Sequence, residues 1–349
     1  MSVVDPSKST VRVTLKQVAR EVGVSVGTVS VALNGSRSGT QISAETRNAI
    51  LESAKKLGYR PNWMARTLLG RRTHTIGFIP TLFEGMLTCG PYLHQVLDGV
   101  VNMFEPHNFD ILFLTRAEAS GGEAILDGRV EGAILVAPRI DSPLVSLLKE
   151  ANFPFVVVDG EPMEDVPVFT VDNAAGVKLA IDHLIGLGHR KIAHIAGSKQ
   201  LADGRSRRDA FLAETKRRGL RVPPHWVEFG NFTNPGGAAA MSRLLSLKPY
   251  PTAVFCANDE MAMAAIEVIK QAGLDVPGDI SVLGFDNIPA SAIIQPALTT
   301  VNHPLDTITK AAASSLYELI HGRPALDTQI FGCELIVRGS TAKPMEVSS

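Results

Sequence analysis

Residues 14–34 read TLKQVAREVGVSVGTVSVALN, and they open the helical head around which the rest of this chain is organised. The pair Thr14 and Gln17 has the pattern of a capping box, which predicts that a helix begins at Leu15. Gly23 is expected to end this helix, because glycine adopts the left-handed backbone conformation without steric cost. Apolar residues at helical spacing predict its buried face: Leu15, Val18, Ala19 and Val22.

A second and a third helix are predicted beyond that turn. Ser25 can cap a helix over residues 26–33, and Ser43 can cap one that ends at Gly58. The side chains expected to face inward are Val29, Ala32 and Leu33 in the second helix and Ile50, Leu51, Ala54 and Leu57 in the third. Two short helices joined by a tight turn with glycine are typical of a helix-turn-helix motif. An ordinary three-helix bundle has the same spacing, so the spacing alone leaves both interpretations open.

The distribution of charge favours a polyanionic partner for the head. Residues 8–72 contain twelve Lys and Arg against three acidic residues, a net charge of about +9, whereas the whole chain carries −1. The remainder of the chain therefore carries about −10. Such asymmetry between two parts of one chain indicates that the basic part contacts a polyanion.

The composition limits the class of protein. A chain of 349 residues with 45% hydrophobic content suits two or three globular domains with a sizeable core. The cysteines are widely spaced, without a Cys-x-x-Cys pair, which argues against structural disulfides and zinc and for a reducing cytosol: Cys89, Cys256 and Cys333. We expect a cytoplasmic protein with no membrane association, because neither a signal-peptide core nor an apolar run of membrane-spanning length is present.

Short apolar runs alternate with helical stretches from residue 75 onward. The strand-like runs are residues 76–79, 109–114, 133–136, 155–158, 192–195, 253–256 and 280–283. The helical stretches are residues 92–104, 173–187, 208–218 and 260–271. This alternation predicts parallel sheets with helices on both faces, and the length is enough for two such sheets.

Other functions are compatible with an α/β body of this kind. An enzyme is one alternative, but no predicted strand is followed by Gly-x-Gly-x-x-Gly and no Walker motif is present. A cytoplasmic sugar-binding receptor is another, and the basic head argues against it. We predict no catalytic residues, no metal site and no cofactor.

Several stretches resemble the lactose-repressor (LacI/GalR) family of bacterial transcription regulators. In the head they are TLKQVA, GVSVGTVS, LN, ETRNAI, LGYRPN and ARTLL, and in the body CANDEMA at residues 256–262, VPGDISVLGFD at 276–286 and LIVRGST at 335–341. The resemblance implies an all-α helix-turn-helix DNA-binding head followed by an α/β body of two doubly wound parallel-sheet lobes, like a periplasmic binding protein. The implied bounds are 11–59 for the head, 60–72 for a hinge helix and linker, and 73–341 for the body. Within the body we expect one lobe over 73–170 and 302–325 and the other over 171–301 and 326–341, with crossings near Thr170, Val301 and Ala325.

The resemblance also implies which residues of the head contact DNA. Those expected to face base edges and phosphates are Val26, Gly27, Thr28, Ser30 and Val31. Those expected to anchor the DNA backbone are Thr14, Ser25, Asn34, Thr46 and Arg47. The chain departs from the family here, because polar side chains are common at the positions of Val26 and Gly27, and Arg or His at that of Val31. Valine can touch a thymine methyl group but cannot make a bidentate bond to guanine or adenine.

Base specificity is therefore expected to depend more on other parts of the head. Arg37 lies in a loop about three residues longer than usual and is a candidate DNA contact, although a merely solvated side chain is equally compatible. Residues 62–69 predict a helix too short to persist alone in water. In the family such a hinge helix folds against its twin on the operator, and a leucine, here Leu68 with Ala65 beside it, opens a base step through the minor groove. The alternative is that Leu68 and Leu69 dock on the body.

Polar residues follow several predicted strands, where open parallel sheets bind ligands. By resemblance, an effector cleft between the lobes is lined by Tyr92, Leu93, Asp159, Arg207, Phe232, Asn258, Asp286 and His303. Carboxylates, an amide, a guanidinium and aromatic faces suit a small sugar-like effector. Structural roles remain open as well: Asp259 as a helix cap, Arg207 as a partner of Asp203, and His303 as a linker residue. The function predicted is a repressor that binds a palindromic operator as a homodimer under control of this effector.

Overall fold

The computed structural model describes residues 13–34, 42–59, 72–80, 90–118 and 120–345. The chain separates into two compact units, one on either side of the boundary between Thr73 and His74. Each unit has its own apolar core.

The first unit contains the three predicted helices. They are α1 (Leu15–Val22), α2 (Val26–Asn34) and α3 (Ala44–Leu57). All three pack on one another around the fully buried side chains of Val18, Val29 and Ile50. The prediction that Leu51 faces inward is wrong, because its side chain is 48% exposed.

Local hydrogen bonds explain where these helices begin. The Thr14 backbone N–H donates to Gln17 Oε1 at 2.8 Å, while the Gln17 N–H donates to the Thr14 carbonyl at 3.0 Å. The Thr28 N–H donates to Ser25 Oγ at 3.0 Å, so Ser25 caps α2 as predicted. Gly23 ends α1 with a φ of 74°, the left-handed conformation expected of it.

The second unit is built from two six-stranded sheets with helices between their strands. The strands are β1 (Thr75–Pro80), β2 (Asp110–Phe113), β3 (Gly132–Val136), β4 (Phe155–Val158), β5 (Val168–Val171), β6 (Ile192–Ala196), β7 (Val227–Phe229), β8 (Ala253–Cys256), β9 (Ser281–Asp286), β10 (Thr299–Asn302), β11 (Gln329–Phe331) and β12 (Glu334–Ile336). The helices are α4 (Pro91–Phe104), α5 (Glu123–Leu126), α6 (Pro143–Glu150), α7 (Asn173–Gly186), α8 (Ala202–Arg217), α9 (Asn234–Leu245), α10 (Asp259–Gln271), α11 (Pro289–Ile293) and α12 (Leu305–Ile320).

The strand order confirms two doubly wound lobes. It is β2-β1-β3-β4-β5-β11 in the first sheet and β7-β6-β8-β9-β10-β12 in the second. The strands pair in parallel except β12, which runs antiparallel to β10 with Val301 opposite Leu335. Each inner strand is almost wholly buried, as expected of a parallel sheet covered on both faces.

The third crossing between the lobes was predicted too early. It was expected near Ala325, but β11 still belongs to the first sheet, where Ile330 lies opposite Thr170. The chain enters the second sheet only at β12, so residues 332–333 make the crossing. Residues 326–331 therefore belong to the first lobe rather than the second.

One helix in the second unit is longer than predicted. The stretch predicted as a helix from Arg208 begins earlier, because α8 starts at Ala202. Within the described part of the chain, no helix is long and apolar enough to cross a membrane.

Candidate ligand cleft and candidate nucleic-acid interface

The outer face of α2 carries the residues predicted to face DNA bases. Val26 is 44% exposed and Gly27 is also exposed, while Thr28, Ser30 and Val31 are partly exposed. None of the five is needed to fill the core, so all five are available to a partner. The face offers hydroxyl groups and valine methyl groups but no cation.

The residues predicted to hold the DNA backbone cluster at helix ends. Thr14 and Ser25 stand exposed at the starts of α1 and α2, and Thr46 lies in the first turn of α3 with its hydroxyl 2.8 Å from Ser43 Oγ. Arg47 is exposed, and its guanidinium donates to the Ala32 carbonyl at 3.0 Å, which ties it to the last turn of α2. Three predicted contacts, Arg37, Ala65 and Leu68, lie outside the described residues, as does the side chain of Asn34.

A cavity that is partly open to solvent lies between the two lobes. The first lobe contributes the start of α4 and the ends of β1 and β3, and the second lobe contributes the starts of α8, α9 and α10. The residues predicted for an effector cleft that line this cavity are Tyr92, Leu93, Arg207, Phe232, Asn258 and Asp286. The other two, Asp159 and His303, lie behind the wall with fully buried side chains rather than facing the cavity.

Arg207 is the centre of a buried hydrogen-bond network. Its side chain is 2% exposed. Nε donates to Asn173 Oδ1 at 2.7 Å, and one terminal nitrogen donates to the Ala257 carbonyl at 2.6 Å and to Asp286 Oδ1 at 3.3 Å. Asp203 Oδ2 lies 3.9 Å from the other terminal nitrogen. Asp203, the partner that the sequence suggested for Arg207, thus lies near it, but the nearer carboxylate is that of Asp286.

The guanidinium also lies against aromatic rings. Its central carbon is 3.7 Å from the centroid of the Phe285 ring and 5.9 Å from that of Phe232, both cation–π distances. Phe232 has a φ of 63°. Its ring packs against the backbone of Gly197, where an added Cβ would be 2.1 Å from the nearest ring carbon. The absence of a side chain at Gly197 therefore leaves room for the Phe232 ring at the cavity wall.

Asp159 and His303 form a second buried network behind the cavity. The Tyr92 hydroxyl donates to Asp159 Oδ2 at 2.5 Å, and Thr170 Oγ1 lies 3.4 Å from Asp159 Oδ1. His303 Nε2 lies 3.3 Å from Asp159 Oδ1, and His303 Nδ1 lies 3.6 Å from Asp286 Oδ1. His303 sits where the chain passes from β10 to α12, so it joins carboxylates from both lobes.

Both members of the His303–Asp159 pair are charged at neutral pH. Burial alone would lower the pKa of His303, but the Asp159 carboxylate raises it to about 9. Burial alone would raise the pKa of Asp159, but His303 and the Tyr92 hydroxyl hold it below its usual value. Burial, with the nearby Asp159 carboxylate, keeps the pKa of Tyr92 well above its usual value, so its hydroxyl remains a donor.

The raised pKa of His303 makes stability depend on pH on the alkaline side. Protonated His303 is expected to add a few kcal/mol to the free energy of unfolding. This contribution is fully present below about pH 6.5, the pKa of an unfolded histidine, and it is lost as the pH rises through about 9, the pKa of folded His303. Urea unfolding between pH 6 and 9.5 measures it, and His303→Gln should flatten this alkaline decline. His225→Gln is the matched control because that histidine is exposed. An equal alkaline decline in the wild type and His303→Gln would contradict the assignment.

The start of α10 corrects one structural expectation. Asn258, not Asp259, caps this helix, because the Met261 N–H donates to Asn258 Oδ1 at 3.0 Å. Asp259 instead accepts from the Ile288 N–H at 2.9 Å and from Thr300 Oγ1 at 2.5 Å, which ties α10 to the neighbouring strands. Burial, then the Asp286 charge, raises its pKa well above the usual range.

Other residues of the cavity wall escaped the sequence analysis. They include Asp203, Glu260 and the segment 233–235. Glu260 stands within the quoted CANDEMA stretch and Asp203 had been considered only as a partner of Arg207. Their position at the start of helices that follow β6 and β8 was the available signal, since helix starts lie at the ligand-binding edge of a parallel sheet.

Contacts across the cleft tie the lobes together at its rim. The Ile140 N–H donates to the Gln200 carbonyl at 3.0 Å, and Arg139 bridges Leu201 as an isolated antiparallel pair. Glu161 and Arg205 approach within 3.9 Å. The lobes are therefore closed against each other along this side.

The sequence matches two protein-family models and resembles a bacterial transcription regulator. The model for "Bacterial regulatory proteins, lacI family" matches residues 14–62, and that for "Periplasmic binding protein-like domain" matches residues 181–341. The HTH-type transcriptional regulator CelR of Thermobifida fusca is 35% identical over 89% of this chain and 93% of its own length.

Solved structures agree with these sequence matches. A complex of the transcriptional regulator CelR with cellobiose has a TM-score of 0.71 and 33% identity, covering 94% of this chain and 100% of its own. The lac repressor dimer bound to operator and an anti-inducer has a TM-score of 0.77 and 26% identity, covering 95% of this chain and 99% of its own.

Proposed function

This chain belongs to the lacI family of bacterial regulatory proteins and is a DNA-binding transcription regulator rather than an enzyme, and on that premise we propose that it is a repressor controlled by a small sugar. A homodimer binds a palindromic operator, with one head on each half-site. An effector in the cleft between the lobes changes the affinity for DNA. Because its operator lies on bacterial DNA, the protein acts in the cytoplasm.

The observation that carries the effector proposal is the cavity between the lobes. Asn173 and Asp286 fix the position of Arg207 at the cavity wall. Its guanidinium N–H groups that are not used in these bonds therefore have a fixed orientation toward the cavity. Phe232 from one lobe and Tyr92 from the other offer aromatic surface for the apolar face of a sugar ring. The similar CelR structure is a complex with cellobiose.

The DNA proposal rests on the exposed face of α2 and on the charge of the head. In this proposal Val26, Thr28 and Val31 face the bases, and Arg47 binds a phosphate. Leu68 and Ala65 contact the central base-pair step of the operator through the minor groove. The dimer follows from the similar lac repressor, which is a dimer on its operator. A dimer with two-fold symmetry requires two operator half-sites that are related by the same symmetry.

Operator affinity is expected to fall steeply with salt. An operator selected from a random duplex library should lose about 10³-fold in affinity between 50 and 200 mM salt, because bound phosphates release counterions. Fluorescence anisotropy at four salt concentrations measures the slope. Arg47→Gln should weaken binding and reduce the slope by about 1.

Lys56→Gln provides the matched control for Arg47. Lys56 lies in the last turn of α3 and pairs with Glu21 at 2.9 Å, so its charge is already balanced within the head. It should leave the slope nearly unchanged. Wild-type binding that is independent of salt would contradict the DNA proposal.

A further inference from the structure

The charged groups of the cavity wall are mostly acidic. Within the described part of the chain, Arg207 is the only basic residue of this wall, against Asp203, Glu260 and Asp286. Arg207 is also largely committed, since it already donates to Asn173, the Ala257 carbonyl and Asp286.

Pairing of the buried charges leaves carboxylates in excess. Arg207 balances Asp286, and His303 balances Asp159 behind the wall. Asp203 accepts from Asn173 Nδ2 at 2.7 Å, and its nearest cation is the same Arg207 at 3.9 Å. Two carboxylates, those of Asp203 and Glu260, therefore lack a cation of their own among the described residues.

Glu260 is the carboxylate most accessible to a ligand. It is half-buried at the start of α10 and lies against Gly90 of the other lobe, where an added Cβ would be 2.8 Å from Glu260 Oε2. The structure gives it no hydrogen bond or ion pair among the described side chains. Residues 81–89, which lead to Gly90, contain no Lys or Arg, so they cannot supply a cation. Burial, then the Asp286 charge, raises the pKa of Glu260.

Helix starts often bind anions, and four of them border this cavity. Those of α9 and α10 are occupied by their own caps, because Gly236 N–H donates to Thr233 Oγ1 at 3.1 Å and Met261 N–H donates to Asn258 Oδ1. Asp203 stands in the first turn of α8. The start of α4 at Gly90 is in contact with the carboxylate of Glu260, which belongs to α10. Each start already has a polar or acidic side chain where a phosphate would bind.

We propose that this cavity takes an uncharged polyhydroxylated ligand and rejects anionic counterparts such as sugar phosphates, sugar acids and nucleotides, with Glu260 as the residue that enforces the choice. The proposal rests on the proposed function, in which the cavity holds the effector. A hydroxyl group can donate to the Glu260 carboxylate, whereas a phosphate or carboxylate is repelled by it. At a separation of about 6 Å in a partly buried site, such repulsion weakens binding by at least about tenfold.

Matched pairs of neutral and anionic probes test this selectivity on the full chain. The pairs are glucose with glucose 6-phosphate, cellobiose with cellobionate, and cytidine with cytidine 5′-monophosphate, each titrated by calorimetry and checked by thermal shift. At least one neutral member should bind, and its anionic partner should bind at least about tenfold more weakly. An anionic member that binds as tightly as its neutral partner overturns the inference but leaves an effector cleft intact. If no probe binds, the proposed sugar effector falls as well.

A charge-removing variant tests the role of Glu260 itself. Glu260→Gln should narrow the neutral-to-anionic affinity ratio by about tenfold, because the amide keeps the size of the side chain and removes its charge. Glu267→Gln is the matched control, since Glu267 lies on the exposed face of the same helix and should leave the ratio unchanged. An unchanged ratio in Glu260→Gln, or an equal change in both variants, overturns the role of Glu260.

Discussion

An Arg207→Ala variant is expected to lose about 3–5 kcal/mol of unfolding free energy and all response to effector. The loss is large because the substitution leaves Asp286, Asn173 and the Ala257 carbonyl without their common donor in a buried site. Urea unfolding followed by the fluorescence of Trp226, which is buried in the second lobe, measures the stability. Operator binding at temperatures where the variant remains folded should be retained.

Arg208→Ala is the control for this experiment. The neighbouring arginine is more exposed, and Asp209 is its only ion-pair partner among the residues that the structure describes, so its removal should cost less than about 1 kcal/mol. Arg207→Lys keeps the charge but cannot reproduce the planar fork of donors. It should fall between the wild type and Arg207→Ala. Equal losses in the two alanine variants would refute the central place of Arg207 in the cleft.

An Ile50→Ala variant is expected to unfold the head and abolish operator binding while the body still binds its effector. Ile50 is fully buried in a small core, and its truncation costs about 2–5 kcal/mol. A helical unit of this size has little stability to lose. Limited proteolysis should then cut within residues 14–59 much faster than in the wild type, and anisotropy should detect no specific operator complex.

Leu51→Ala provides a control one residue away. Its side chain is 48% exposed, so the same loss of side-chain carbon atoms should change stability by less than about 1 kcal/mol. If both variants were cleaved equally fast, the orientation of α3 described above would be wrong.

Some features of the fold were predictable because they depend on local sequence. Ser25, Ser43 and Gly58 determine helix ends through hydrogen bonds or backbone conformations within a few residues. The alternation of buried strands and helices likewise gave the two-lobed architecture. By contrast, β11 has only three residues, too few for a hydrophobic period, and its partner β5 lies about 160 residues away. The third crossing was misplaced for that reason.

The composition of the cleft was predictable, but its depth was not. The resemblance identified Asp159 and His303 as members, yet their burial behind Tyr92 follows from the packing of both lobes around the crossing at His303. Leu51 was misassigned because an apolar residue next to Ile50 points about 100° away from it on a helix. Glu260 was overlooked because a carboxylate at a helix start usually serves the helix itself.

The interleaved order of the strands has a consequence for synthesis on the ribosome. Five strands of the second sheet, from β6 to β10, are complete once residue 302 has emerged. The first sheet begins earlier in the chain but waits for α12, which packs on β3, β4 and β5, and for β11 at its edge. The lobe whose strands are made first is thus the later to be covered by its last helix, and both sheets receive their final strands, β11 and β12, only after α12. Until α12 has left the exit tunnel, the apolar face of the first sheet that it covers is exposed, and aggregation competes with folding during that interval.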